Sequence, residues 1–140
     1  MLHDHETERN ILAGMYKHGK DAFIDVNDIL SVETFHDSTN QVLFQCLSTA
    51  LKKSDKMDRP LLLSVANQLS LDSILQKEES KVAQILEKNT LLSNIRILAK
   101  RIAKLHIARQ GQAKLRDAMS RMSEISGDET TTEILSIAEK

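Results

Sequence analysis

Apolar positions recur along this chain at helical rather than strand spacing. Ile11, Leu12 and Met15 mark one face of a predicted helix from Glu6 to His18. Asp4 is placed to cap its start, Glu6 and Glu8 suit the positive end of its dipole, and Gly19 can end it. A second helix is predicted over residues 21–30, with Phe23, Val26, Ile29 and Leu30 inward. Residues 31–38 read as a connector anchored by Phe35. A third helix follows from about Ser38 to Lys53, with Val42, Leu43, Leu47 and Leu51 as its stripe. Asp58 and Pro60 open a fourth, because proline fits a first turn whose amide has no intrahelical acceptor. Its inward residues are Leu62, Val65, Ala66 and Leu69. Residues 70–78 show no clear period, and a fifth helix over 79–88 turns Val82, Ile85 and Leu86 inward.

The longest pattern runs from Ser93, a candidate N-cap, to Ile125, with no proline and only Gly111 as a break. Ile95, Leu98, Ile102 and Leu105 form a packed seam. The count then meets the polar Arg109 and Gln112, and the stripe resumes on a shifted face at Leu115, Met119, Met122 and Ile125. A helix of roughly thirty residues spans about 45 Å, so its first half can serve a core and its second half a different surface. Gly111 lies in the gap, where a bend would fit. Gly127 suits a left-handed cap, and a last helix begins near Thr130 with Ile134 and Leu135 on its apolar side. An antiparallel helical hairpin around Gly127 is the expectation. The fold class is all-α: a compact bundle of five to six helices (head, residues 1–108), then the long helix and a C-terminal hairpin (residues 109–140). Leu115, Met119, Met122, Ile125, Ile134 and Leu135 are the candidates for hairpin packing or self-association.

Composition supports the helical reading. The apolar fraction is 41% with 3% aromatics, so the core must be aliphatic, and four Gly with one Pro leave little turn chemistry for a sheet. The formal net charge of −1 hides an asymmetry: residues 1–93 carry −4, residues 94–126 carry +6 and residues 127–140 carry −3. Arg96, Lys100, Lys104 and Arg109 are the candidate contacts to nucleic acid or an acidic partner. The same charges would also keep an exposed helix solvated. The lone Cys46 sits in an apolar run, which points to a buried, inert thiol in a reducing setting. No stretch is apolar enough to span a bilayer, and the start of the chain is too polar for a signal peptide.

Chemistry is sparse. His3-Asp4-His5-Glu6 carries metal-ligand residue types, but histidines two apart do not share a helical face, so no metal site is assigned. His18, His36 and His106 lack zinc-finger spacing. There is no glycine-rich phosphate loop, and no catalytic constellation can be drawn. The chain is expected to be neither an enzyme nor a cofactor binder.

An ordered set of short matches resembles the N-terminal domain of DnaB-type replicative helicases. His3-Asp4-His5-Glu6-Thr7-Glu8-Arg9-Asn10-Ile11-Leu12-Ala13-Gly14-Met15 is similar to the family's H-S-x-E-A-E-x-x-V-L-G-G-L. Ile29-Leu30 to Phe35, then Val42-Leu43-Phe44, resemble its V-L-x-x-x-D-F and I-F segment. Met57-Asp58 and Asn89-Thr90 with Asn94-Ile95 follow in order. Ala13 replaces the first glycine of the pair, Leu91 replaces the proline after Asn-Thr, His36 stands at an aromatic position, and Asn40 stands where histidine is common. The glycine-pair segment expected within residues 70–79 is absent. Such departures suggest a divergent member of the kind a phage or plasmid encodes.

The resemblance implies a helical head and hairpin that self-associate as dimers, or as a trimer of dimers within a hexamer. It implies docking of primase and of a helicase loader, in a bacterial or phage-infected cytoplasm. ATP, Mg²⁺ and the principal DNA contacts would belong to a RecA-like motor expected after Lys140, in a parent 5′–3′ helicase of which this chain would be a fragment. The competing reading is a free-standing basic helical protein that binds nucleic acid through residues 94–121.

Overall fold

The computed structural model describes residues 2–139 and, among them, contains helices and no strand. The order is α1 (His5–His18), α2 (Lys20–Val26), a 3-10 turn (Val32–Thr34), α3 (Ser38–Leu51), α4 (Arg59–Gln68), α5 (Asp72–Lys77), α6 (Glu79–Leu86), α7 (Leu92–Ser123) and α8 (Thr131–Glu139). Two compact units result. One covers residues 3–106, and the other begins at Ile107 and includes Leu2.

In the first unit α1 and α3 pack against each other, and α2, α4, α5 and α6 close around them. The core is aliphatic, with Ile11, Leu12, Met15, Leu43, Leu47 and Leu51 all fully buried. Cys46 lies among them, and burial pushes its thiol up to about 11. Phe35 fills the centre from the connector, its ring 4.7 Å from that of Phe44.

Side-chain caps set three of the helix starts. Asp4 accepts the Thr7 amide at 3.1 Å, Asp37 accepts that of Asn40 at 3.1 Å, and Asp58 accepts that of Leu61 at 2.9 Å. Gly19 both ends α1 and begins α2. Its φ of +68° and its Lys20 neighbour's hydrogen bond to the Asp55 carbonyl leave no room for a side chain, since a Cβ there would meet that carbonyl at 2.2 Å. Gly14 lets α7 approach α1: a Cβ would lie 2.5 Å from Ile95 Cδ1.

Several boundaries differ from the sequence reading. α2 stops at Val26 rather than Leu30, and the chain turns so that Leu30 is still buried. Residues 70–78 hold α5, reached through a left-handed Ser70 (φ +59°). Leu71 donates to the Ala66 carbonyl at 2.8 Å and Ser70 to that of Asn67 at 3.0 Å, the pairing of a Schellman motif without its usual glycine. Ser93 is not an N-cap. α7 already begins at Leu92, because Thr90 is fixed just before it, its hydroxyl donating to the Asn10 carbonyl at 2.7 Å. The buried seam of α7 is Ile95, Ala99 and Ile102, with Leu98 only partly covered. α7 runs unbroken through Gly111. Gly127 has φ +99° but lies four residues beyond Ser123, so it shapes the connector to α8 and does not cap α7. No described helix is long and apolar enough to cross a membrane.

Candidate interaction surfaces

The start of α1 is pinned to the connector before α3. Glu8 is 1% exposed, yet its carboxylate accepts the backbone amides of His36 (2.9 Å) and Asp37 (3.3 Å) and the side-chain amide of Asn40 (3.0 Å). A buried carboxylate is tolerated because its lone pairs are met by donors. Asp4 is held from the other side. Hydrogen bonds from Thr7, then from Arg101 at 2.8 Å, hold its carboxyl down at about 2.

This pin gathers three histidines that the sequence reading kept apart. His5 Nε2 and His36 Nδ1 lie 2.8 Å apart, one of them carrying the hydrogen. The His3 ring stacks on both, with centroids 4.3 Å from His5 and 4.5 Å from His36. A helix running through both His3 and His5 would hold their rings on different faces. Asp4, however, is the cap, with φ −147° and ψ 82°, so His3 precedes the helix. Outside the helix the 3.6-residue spacing does not apply, and the His3 ring lies against that of His5. Nothing in the local sequence ties His36 to this pair; the link is Glu8. Burial, followed by the charges of His5 and His36, holds the His3 imidazole below its ordinary value.

Two of the four basic candidates on α7 are committed to internal partners. Arg96 donates to Asp28 at 3.1 and 3.2 Å and to the Asp25 carbonyl at 2.7 Å. The Arg96 guanidinium in turn holds Asp28 below the usual carboxylate range. Arg109 donates to the Leu2 carbonyl at 2.8 Å. Lys100 and Lys104 face solvent beside Ile97 and Leu105 in a shallow groove. The four candidates therefore do not form one cationic track.

The second unit is unusual in having no buried residue among those described from Ile107 on. Leu115 (67% exposed) and Met119 (73%) stand open, with Met122 beside them at helical spacing. Leu135 on α8 is also exposed, while Ile125 and Ile134 are half-covered. The connector is well made despite this openness. Glu129 accepts the amides of Ser126 and Gly127, and Thr130 and Glu133 form a reciprocal capping box at the start of α8.

Comparison with known proteins decides the family. The model of the DnaB-like helicase N-terminal domain matches residues 1–104. The chain belongs to this family. The crystal structure of the N-terminal domain of DnaB helicase from Mycobacterium tuberculosis has a similar fold, with TM-score 0.74 and 19% identity over 98% of this chain and 94% of that one. No curated protein sequence matches. As a DnaB-like N-terminal domain of a replicative helicase, the chain uses its family-pattern residues at joints. Glu8 joins α1 to the α3 connector, Gly14 admits α7, and Thr90 fixes the entry to α7 with its carbonyl accepting from His18 at 2.7 Å.

Proposed function

We propose that this DnaB-like domain serves as the self-associating collar of a hexameric replicative helicase and as the place where primase docks. The observation that carries self-association is the uncovered apolar face of the second unit, Leu115, Met119, Met122 and Leu135. More than thirty residues are ordered there without one buried side chain. Ordering a residue costs about 1–2 kcal/mol of backbone entropy, which intrahelical hydrogen bonds alone rarely offset. A second copy packed on the same face would supply the missing cover, and each Leu or Met buried there would contribute roughly 1.5–3 kcal/mol. A self-complementary patch of this kind suits a two-fold dimer, the unit from which a trimer of dimers is built.

Under this reading, ATP, Mg²⁺ and most DNA contacts belong to the motor of the parent helicase, a loader engages the same assembly, and the setting is the cytoplasm. The nucleic-acid alternative is weaker, because Arg96 and Arg109 are spent on internal partners.

Sedimentation equilibrium on Leu115→Asp and Met122→Asp tests the reading. Each substitution should weaken assembly at least roughly tenfold, the equivalent of about 1.4 kcal/mol, while the melting of the first unit is unchanged. A mass identical to the parent's, where the parent associates, would refute it.

A further inference from the structure

We propose that His3, His5 and His36 form a site for a divalent transition-metal ion of the zinc class. One ring nitrogen from each lies within 4.8 Å of the others. Three imidazoles and an open fourth position are a recurrent zinc ligand set, and imidazole is a good donor for this class of ion.

The backbone under the cluster is fixed by groups that are not themselves ligands. His5 is the first residue of α1, next to the Asp4 cap and its bond to Arg101. His36 is held by its own amide on the buried Glu8. Support from surrounding hydrogen bonds is what separates a usable site from a chance meeting of side chains. The nearby carboxylates are already engaged. Both Glu8 oxygens take donors from the connector and from Asn40, and Asp37 is shared between the Asn40 amide and Lys81. Their charge favours a cation, but the imidazoles alone are available to bind it.

The present contacts fit this reading. The 2.8 Å approach of His5 Nε2 to His36 Nδ1 places two ring nitrogens face to face with one hydrogen between them. A metal ion would replace that hydrogen. Zinc–nitrogen bonds of about 2.0–2.1 Å at a tetrahedral centre set nitrogens about 3.3 Å apart. His5 and His36 therefore need to open slightly and His3 to close in, by side-chain rotation over a fixed backbone. Bound metal would clip the segment before α1 to the connector before α3.

The test uses the full chain without a polyhistidine tag and Co²⁺ as a spectroscopic probe for Zn²⁺. We expect one equivalent of Co²⁺ to give tetrahedral visible absorption that Zn²⁺ abolishes, and Zn²⁺ to raise the melting temperature. His5→Ala and His36→Phe, both at non-core positions, should each weaken binding at least roughly tenfold; His36→Phe keeps an aromatic ring on the stack. Unchanged circular dichroism checks the fold of each. No absorption up to about 1 mM metal, the limit of weak binding, would overturn the site. So would binding that survives His36→Phe, or that is lost only with His3→Ala, which would put the metal on the N-terminal peptide.

Discussion

The Glu8 carboxylate accepts the side-chain amide of Asn40 at 3.0 Å, and both residues are buried, at 1% and 0% exposure. With the two connector amides, it is the bond that holds the start of α1 to α3. Glu8→Ala would strand three donors. It should cost about 3 kcal/mol, given about 1–3 kcal/mol for each buried group left unsatisfied, read from the urea midpoint. Glu8→Gln keeps one acceptor oxygen and should cost less. Equal loss in the two variants would mean that the carboxylate is not what holds the connector.

Asp4 gives the first unit an acid limb. Its carboxyl is depressed to about 2 by Thr7 and then Arg101, so its contribution is present above the unfolded value near 4 and disappears as pH falls towards 2. After allowance for partial exposure, about 1–2 kcal/mol is at stake. Thermal melts between pH 5 and 2 should show a smaller acid loss in Asp4→Asn than in the parent. Parallel curves would contradict this.

Ser70→Gly should stabilise the domain. Ser70 holds φ +59° to complete the turn after α4. A side chain in the left-handed region costs on the order of 1 kcal/mol, partly offset by glycine's greater unfolded entropy. A gain of about 0.5 kcal/mol, or a few degrees in Tm, is expected; a lower Tm would show that the Ser70 side chain makes its own contribution.

Cys46 should be silent in the native state. It is fully buried, with its thiol pushed up to about 11 by desolvation. A chromogenic disulfide reagent at pH 8 should react only at the rate of unfolding and completely in denaturant. Rapid reaction of the folded protein would indicate an opening that the core packing does not provide.

Local chemistry was legible in the sequence and long-range chemistry was not. Asp4, Asp58 and Gly19 announce helix ends because their partners lie within four residues. Serine at the left-handed position after α4 hides a turn that glycine would have revealed, and so α5 stayed ambiguous. Leu98 outranked Ala99 on hydrophobicity, yet Ala99 is the buried one, because close packing on this face of α7 favours a small side chain. Arg96 read as a solvent-facing cation until Asp28, sixty-eight residues away, met it. The histidine cluster was missed for a similar reason: its closure depends on Glu8, which reaches from α1 to residue 36.

The central claim is that residues from Ile107 onward are covered by another copy of the chain. Amide hydrogen exchange measured over a range of protein concentrations tests it most directly. The account predicts that protection of residues 107–139 rises steeply with concentration while that of residues 3–106 stays constant. Strong protection of residues 107–139 that does not change down to concentrations where the chain sediments as a monomer would contradict it.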